Sequence, residues 1–299
     1  MSQNLGFIGL GKMGKWMALN LINAGFNLTI HDIDKVPMDF LAGRGAEAVN
    51  SPAEVAKKSD VIIFSLPDAT VIDSAVMGEN GIIHGAKEGL LLVDCGTSDY
   101  FWTLERSASL QERGITFVDA PVTGLESKAK DGTLTIMFGG EESILEDIRP
   151  ILNIVGSTII HMGDIGKGQL SKMTNNLIYD INMAALAEVL PMAIKLGLDQ
   201  EKIALLINNG SGRSFASEFF LPHILKGEFD NSYHMEKAYK DLTAAASISA
   251  QKKIPLPVSH AATTTYQLAL AAGLGKEDKG AMIKVYEEIN GVKFRSKQK

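Results

Sequence analysis

Lys172 and Asn176 are four residues apart in a segment with helical periodicity, so both side chains fall on one face of a predicted helix. A lysine that is partly desolvated in a cleft can donate a proton to a carbonyl oxygen or remove one from a hydroxyl. Asn176 would orient that lysine or hydrogen-bond a substrate. A solvated surface lysine is the alternative, but two adjacent asparagines are unfavourable inside a helix and indicate a compensating role.

A second polar segment, residues 119–124 (DAPVTG), follows an apolar run in the N-terminal half. Ligands of α/β sheets bind beside the carboxyl ends of strands. Thr123 offers a hydroxyl and Gly124 an approachable backbone N–H, a pair suited to a substrate carboxylate. An ordinary proline-containing turn is the alternative interpretation.

Near the N-terminus, glycines in G-x-G-x-x-G spacing separate an apolar strand start from a predicted helix. The first glycine permits a tight turn, the second lets the backbone approach a pyrophosphate, and the third allows helix and strand to pack closely. Phosphates then bind free N–H groups at the helix N-terminus. The predicted dinucleotide-binding loop consists of Gly9, Leu10, Gly11, Lys12, Met13 and Gly14.

Asp32 lies 23 residues after Gly9, at the end of a second apolar segment. A carboxylate there accepts hydrogen bonds from the adenosine ribose hydroxyls and repels a 2′-phosphate. We therefore predict NAD in preference to NADP. Two alternatives stay open: Asp32 only opens a turn, or Lys35 reaches the 2′-phosphate of NADP.

Composition narrows the class of protein. The chain has 299 residues, of which 45% are hydrophobic, enough for one large domain or two. A formal net charge of −6 argues against nucleic acid and anionic membranes as partners. Cys95 is the only cysteine, which excludes an internal disulfide and a cysteine-rich metal site. The six histidines show no metal-ligand spacing, so no metal is predicted.

The N-terminus predicts a cytoplasmic location, because the first strand begins within five residues of Met1 and leaves no room for a presequence. We also expect no membrane span, since no apolar stretch is seen to approach the roughly 18 residues that a span requires.

Residues 1–163 alternate between short apolar runs and helical periodicity, which predicts a mostly parallel sheet wrapped by helices. In residues 164–299 the runs of β-branched residues largely disappear, and this change predicts an all-helical domain. Its first helix, residues 168–196, would be over 40 Å long at about 1.5 Å per residue, and Pro191 should kink it. We expect this helix to form the spine between domains and part of a subunit interface in a homodimer or homotetramer. Further helices are predicted over residues 200–208, 235–251, 257–272 and 278–290.

Four motifs together resemble the β-hydroxyacid dehydrogenases, the family that includes 3-hydroxyisobutyrate dehydrogenase, 2-(hydroxymethyl)glutarate dehydrogenase and tartronate semialdehyde reductase. The motifs are the glycine loop with Met17-Ala18, residues 119–124, residues 168–176 and Lys240-Asp241-Leu242. They occur in the family's order over most of the chain.

The resemblance implies a Rossmann-type α/β domain followed by an all-helical domain, with Lys172 as general acid/base. It further implies that Thr123, Gly124 and Asn176 bind the substrate and that Lys240 closes over cofactor and substrate; a surface charge paired with Asp241 is the alternative for Lys240. The remaining implied cofactor contacts, from the ends of two strands, are Leu66, Pro67 and Thr97.

Some positions depart from the family pattern. Thr123-Gly124-Leu125 stands where Ser-Gly-Gly is common, which leaves the shape of the substrate open, and Gly96 replaces a small polar residue. Residues 211–214 resemble a helix-end segment of several members. Arg213 there would pair a distal carboxylate or sulfonate of the substrate, or else form a structural salt bridge, with Phe215 and Phe219 as pocket walls in the first case.

These features favour an oxidoreductase that moves hydride between NAD(H) and a small, carboxylate-bearing 3-hydroxyacid/semialdehyde pair. NADP remains possible as cofactor. Two alternatives are an NADPH-dependent reductase of glyoxylate or succinic semialdehyde and a non-catalytic dinucleotide-binding module.

Overall fold

The computed structural model describes residues 4–296. It divides into two compact units, the first ending at Lys172 and the second beginning at Met173. The last strand of the first unit ends at Gly163, where the predicted domain boundary lies, and the helix that begins at Lys167 runs on across the division.

The described part of the first unit contains a nine-stranded sheet in the order β3-β2-β1-β4-β5-β6-β8-β7, with β9 paired to β8. Pairing is parallel from β3 through β6, antiparallel where β8 meets β6 and β7, and parallel again between β8 and β9. The prediction of a mostly parallel sheet is therefore confirmed. The strands are β1 Leu5–Ile8, β2 Leu28–His31, β3 Glu47–Ala48, β4 Val61–Phe64, β5 Leu91–Asp94, β6 Thr116–Asp119, β7 Val122–Thr123, β8 Leu134–Gly139 and β9 Gly156–Gly163.

Four helices of the first unit begin where a short polar side chain caps them. Asp34, Ser51, Asp68 and Asp99 each accept a hydrogen bond from a backbone N–H of the following first turn. The helices are α1 Gly14–Asn23, α2 Lys35–Ala42, α3 Pro52–Lys58, α4 Ala69–Met77, α5 Tyr100–Gln111, α6 Glu126–Lys130 and α7 Glu142–Val155.

Two hydrophobic clusters lie against opposite faces of this sheet. On β4, Val61 and Ile63 belong to one cluster, and Ile62 and Phe64 to the other. Successive side chains of a strand point to opposite faces, so a strand with helices on both sides is apolar throughout. This burial explains why the central strands appear in the sequence as continuous apolar runs.

The second unit is helical, as predicted. Two details differ from the prediction: α10 was not predicted at all, and residues 279–282 form a short 3-10 helix before α13 instead of its first turn. The long helix and those after it are α8 Lys167–Lys195, α9 Gln200–Asn209, α10 Phe215–Lys226, α11 Met235–Lys252, α12 Pro257–Ala271 and α13 Ile283–Asn290.

Contrary to our expectation, one stretch of the chain is long and apolar enough to cross a membrane by length and composition. It lies within α8, which has an 18-residue window of mean hydropathy 1.5. The core helix of a soluble protein passes the same test. Met183, Ala187 and Leu190 of α8 are buried in the core of the helical unit, so packing accounts for part of the apolar character of this helix, of whose window 39% is buried.

Candidate active site

The glycine loop links β1 to α1, and two of its glycines are required sterically. Gly9 has φ of +91°, and a Cβ there would lie 2.6 Å from the carbonyl oxygen of Ser65. A Cβ on Gly14 would lie 1.9 Å from the carbonyl oxygen of Gly9, so only glycine lets the helix begin this close to the strand.

The second glycine of the loop, Gly11, faces open space. A Cβ on Gly11 would meet nothing within 4 Å among the described atoms, and its backbone is therefore accessible to a ligand. Met13, at the N-cap of α1, makes no side-chain capping hydrogen bond. Helix N–H groups without a side-chain cap can bind phosphate oxygens. Lys12 is exposed beside them, whereas Leu10 is buried under the loop. The loop thus fits the pyrophosphate of a dinucleotide.

Asp32 directly follows β2 and contacts the glycine loop. Its Oδ2 accepts a hydrogen bond from the backbone N–H of Leu10 at 2.5 Å, and its Oδ1 accepts one from Asp34 at 2.8 Å. The contact with Leu10 was not predicted. An ionised carboxylate has about four acceptor positions, so two remain for other donors. Lys35 is exposed at the start of α2.

The loops after β4 and β5 approach each other closely. A Cβ on Gly96 would lie 2.6 Å from the carbonyl oxygen of Leu66, which explains why glycine replaces a small polar residue at this position. Leu66 and Thr97 are half-buried and Pro67 is exposed. The three predicted cofactor contacts therefore follow neighbouring parallel strands at their carboxyl ends, where α/β sheets bind ligands.

The predicted carboxylate-binding segment is a short strand followed by a glycine turn. Thr123 ends β7, opposite Thr135 of β8. Gly124 has φ of +143°, and a Cβ there would lie 2.9 Å from the Leu134 side chain. Thr123 is half-buried and Gly124 is exposed, so the hydroxyl is held by a strand while the next peptide is accessible.

Asp119 holds the first turn of α8. It is fully buried, and its two oxygens accept hydrogen bonds from the backbone N–H groups of Gly166 at 2.6 Å and Gln169 at 2.7 Å. Burial raises the pKa of Asp119 to about 7, against the lowering effect of these two hydrogen bonds. Lys172 lies half-buried in the following turn. Asp119 was not assigned a role from the sequence, although a carboxylate directly after an apolar run is a visible signal.

Asn176 is buried and oriented by a carboxylate. Its Nδ2 donates to Asp241 Oδ2 of α11 at 2.7 Å, and Asn175 Nδ2 lies 3.4 Å from Asn176 Oδ1. Asp241, the neighbour of Lys240 in the chain, thus accepts the Asn176 amide. Lys240 is half-buried on α11.

Arg213 forms the salt bridge that was one of its two predicted alternatives. Its Nε lies 2.5 Å from Glu218 Oε1, and both side chains are exposed. Residues 211–214 lie between the end of α9 and the start of α10, which Ser214 caps in a reciprocal capping box with Ser217. Phe215 stacks on Phe219 with ring centroids 6.0 Å apart.

A buried ion pair in the helical unit was missed. Asp180 lies one turn beyond Asn176 on α8, and its Oδ1 accepts hydrogen bonds from Lys279 Nζ and, at 2.8 Å, from the Tyr266 hydroxyl. Asp180 and Lys279 are both fully buried. Burial raises the pKa of Asp180, although the Lys279 ammonium counteracts the effect. In the sequence, the four-residue spacing of positions 172, 176 and 180 places Asp180 on the same helix face as Lys172 and Asn176, and this spacing was the available signal for a buried role.

The remaining candidates for chemistry are metal ligands and the thiol of Cys95. Within residues 4–296, no group of three or more His, Cys, Asp or Glu side chains is placed to hold a metal ion. Cys95 is buried, and burial together with the neighbouring Asp94 raises the pKa of its thiol, so the thiolate is disfavoured.

Two family models together match most of the chain. Residues 4–163 match the family model of the NAD-binding domain of 6-phosphogluconate dehydrogenase. Residues 166–286 match the model described as NAD-binding of NADP-dependent 3-hydroxyisobutyrate dehydrogenase. The fold and glycine loop, with these matches, define the chain as an NAD(P)-dependent dehydrogenase of hydroxyacids.

Individual relatives identify the family within this class of dehydrogenases. The chain is 39% identical to 2-(hydroxymethyl)glutarate dehydrogenase of Eubacterium barkeri, covering 97% of each chain. It is 33% identical to human mitochondrial 3-hydroxyisobutyrate dehydrogenase, covering 95% of this chain and 87% of the relative. The structure of Mycobacterium tuberculosis 3-hydroxyisobutyrate dehydrogenase with L-serine superposes with a TM-score of 0.84 at 28% identity, covering 95% of this chain and 99% of that one. The chain belongs to the β-hydroxyacid dehydrogenase family.

Proposed function

We propose that this protein transfers hydride between NAD(H) and a small 3-hydroxyacid/semialdehyde pair, with Lys172 as the general acid/base. One observation carries the proposal: Lys172 lies half-buried in a helix whose first turn is hydrogen-bonded to the end of β6, on the same helix face as Asn176. Bound NAD(H) supplies or accepts the hydride. In the oxidation direction Lys172 Nζ removes the hydroxyl proton, and in reduction it protonates the carbonyl oxygen.

The substrate carboxylate is assigned to Thr123 and Gly124, through the threonine hydroxyl and the glycine N–H. The Asn176 amide, fixed by Asp241, hydrogen-bonds the substrate near the reacting carbon. Lys240, next to Asp241 on α11, is assigned a contact with the cofactor. Arg213 is left out of the substrate contacts because its guanidinium pairs with Glu218.

The relatives support the class of substrate. Their names specify 2-(hydroxymethyl)glutarate and 3-hydroxyisobutyrate, and both molecules carry a primary hydroxyl two carbons from a carboxylate. We therefore propose a substrate with this hydroxyl and carboxylate arrangement. Asp32 supports NAD over NADP, because a carboxylate accepts from ribose hydroxyls and repels a 2′-phosphate.

We also propose a homo-oligomer that forms through the helical unit. Leu196, Leu205 and Leu206 are large apolar side chains that are mostly exposed at the end of α8 and on α9. A homo-oligomer interface would cover exposed apolar side chains of this kind. Light scattering after size exclusion tests this: a dimer or tetramer is expected, and a monomer at micromolar concentration contradicts it.

The experiment that tests the reaction compares Lys172→Ala with the parent enzyme on short hydroxyacids and semialdehydes, using NAD(H) and NADP(H). We expect kcat to fall by roughly 10²- to 10⁴-fold, the usual loss for a general acid/base, while NADH binding is retained. Lys172→Arg should not restore activity, because a guanidinium stays protonated.

Lys195→Ala is the matched control, since Lys195 is an exposed lysine at the other end of α8. A kcat near the parent value in Lys172→Ala would show that the proton comes from another group. If the parent enzyme preferred NADPH with glyoxylate or succinic semialdehyde, the aldehyde reductase function would replace the one proposed. Binding of NADH without turnover of any substrate would favour a non-catalytic module.

A further inference from the structure

Gln169 is a buried amide three residues before Lys172, and both ends of its side chain are hydrogen-bonded. Only 1% of its surface is exposed. Its Nε2 donates to Asp94 Oδ2 at 3.2 Å and to the carbonyl oxygen of Gly96 at 3.3 Å, and its Oε1 accepts from the backbone N–H of Ser98 at 3.0 Å. The side chain thus connects α8 to the loop after β5.

The backbone of the same residue is held by a second carboxylate. Asp119 accepts the backbone N–H of Gln169. Asp94 and Asp119 end the adjacent strands β5 and β6, where they are register partners, and both are fully buried. Gln169 therefore donates N–H groups to two neighbouring carboxyl groups. Asp94 also accepts from the backbone of Gly96 and the hydroxyl of Ser98, each at 2.8 Å.

The loop that Gln169 holds, residues 94–98, contains Thr97. A side chain at position i of a helix is on the same side as that at i+3, about 4.5 Å further along the axis. Gln169 lies one turn before Lys172 in the same helix, and its side chain bonds Gly96 and Ser98 on both sides of Thr97. It therefore links the position of Lys172 to that of Thr97.

The first turn of α8 has little freedom to shift. A Cβ on Gly168 would lie 2.3 Å from the carbonyl oxygen of Met137, and one on Gly139 would lie 2.8 Å from the backbone nitrogen of Gly168. The helix start is thus packed directly on the backbone of β8. Loss of the Gln169 hydrogen bonds would therefore displace the loop of residues 94–98 relative to the helix start.

We propose that Gln169 is a positioning residue for catalysis, which sets the loop carrying Thr97 and the helix carrying Lys172 in one fixed geometry. The proposal rests on the function proposed for Lys172. A purely structural role predicts a different result: variants of Gln169 would lose stability, but the remaining folded enzyme would keep its kcat.

The test uses Gln169→Leu and Gln169→Glu in the full chain. Displacement of a reacting group by about 1 Å can cost about 10²-fold in rate, and we expect kcat to fall by about that factor in both variants near pH 8. NADH binding, measured by fluorescence titration, should persist because the glycine loop is intact. Ser171→Ala is the control: the Ser171 hydroxyl bonds only the Lys167 carbonyl of its own helix among the described residues, so kcat should not change.

The pH dependence separates positioning from stability. A protonated glutamic acid donates to Asp94 as the amide does, whereas its carboxylate would repel Asp94. The kcat of Gln169→Glu relative to the parent should therefore rise as pH falls from about 8.5 to about 5.5, and the ratio for Gln169→Leu should stay level. Gln169 is hydrogen-bonded to the titratable groups Asp94 and Asp119, and Asp94 in turn influences Cys95; all three groups are present in parent and variants alike.

Wild-type kcat in either folded variant overturns the proposal, as does a pH-independent ratio for Gln169→Glu. Should Gln169→Leu fail to fold, the pH ratio of Gln169→Glu decides alone. The parallel Lys172→Ala measurement separates the two assignments. If Lys172→Ala is inactive and the Gln169 variants are fully active, only the positioning role is wrong. If Lys172→Ala is active, the proposed function itself is wrong.

Discussion

Asp32 offers a quantitative test of cofactor selection, because its carboxylate has two functions in one position. It accepts the Leu10 N–H of the glycine loop and the Asp34 N–H of its own turn. It is also the group assigned to the ribose hydroxyls of NAD. Asp32→Ala removes both functions, whereas Asp32→Asn keeps an oxygen that replaces only one of the two acceptors.

The size of the effect follows from the Leu10 contact. A hydrogen bond to a charged acceptor contributes about 1.5–3 kcal/mol, and every 1.4 kcal/mol corresponds to about a tenfold change in affinity. If the binding of NAD must restore the loop, Asp32→Ala should weaken NAD affinity by about 10- to 150-fold, and Asp32→Asn should weaken it less. NADP should lose less than NAD, because the change also removes repulsion of the 2′-phosphate. The ratio of NAD to NADP efficiency therefore falls.

The assay is Kd by fluorescence titration and kcat/KM for both cofactors. Asp39→Ala is the charge-matched control, since Asp39 is an exposed residue of the following helix. Unchanged NAD affinity in Asp32→Ala would refute the loop contact and the ribose assignment together. An equal loss for NAD and NADP would keep the loop contact and refute the role in discrimination.

Two further predictions concern buried charges. Since burial raises the pKa of Asp119 from 3.8 to about 7, the folded chain holds a proton that the unfolded chain releases, so Asp119 makes stability decrease as pH rises from about 4 to about 7, by up to about 1.4 kcal/mol per pH unit. Urea unfolding of Asp119→Asn should lack this part of the slope, and an identical slope would contradict the assignment. Lys279→Met leaves Asp180 buried without its cation and should cost about 3–5 kcal/mol, much of it recovered when Asp180→Leu is added; strictly additive losses would show that the pair is not coupled.

Local signals predicted much of the fold. The central strands lie within one or two residues of the apolar runs, because burial on both faces requires apolar side chains at every position. The start of α3 shows such a local signal: Ser51 caps the helix and Pro52 lies in its first turn, and both act within a few residues. The long helix was predicted to within one residue at each end for the same reason: its periodicity is local.

The errors occurred where the local pattern and the tertiary structure disagree. Helix α10 was missed because Gly210, Gly212 and Pro222 indicate turns, yet the capping box of Ser214 begins a helix that continues through the proline. The ion pair of Asp180 with Lys279 joins residues 99 apart in sequence. Such contacts depend on how helices pack, which no short segment encodes.

Asp32, Asp94 and Asp119 have a common structural role that sequence spacing did not reveal. Each lies at or just after the carboxyl end of a parallel strand, and each accepts a backbone N–H from a loop: Leu10 for Asp32, Gly96 for Asp94, and Gly166 for Asp119. Loops that approach a ligand are irregular, and their N–H groups need acceptors that no neighbouring strand supplies. Aspartates at strand ends provide those acceptors and thereby fix the loops. An aspartate directly after an apolar run in such a sheet should therefore be considered first as a loop anchor, and its contact with a ligand tested separately.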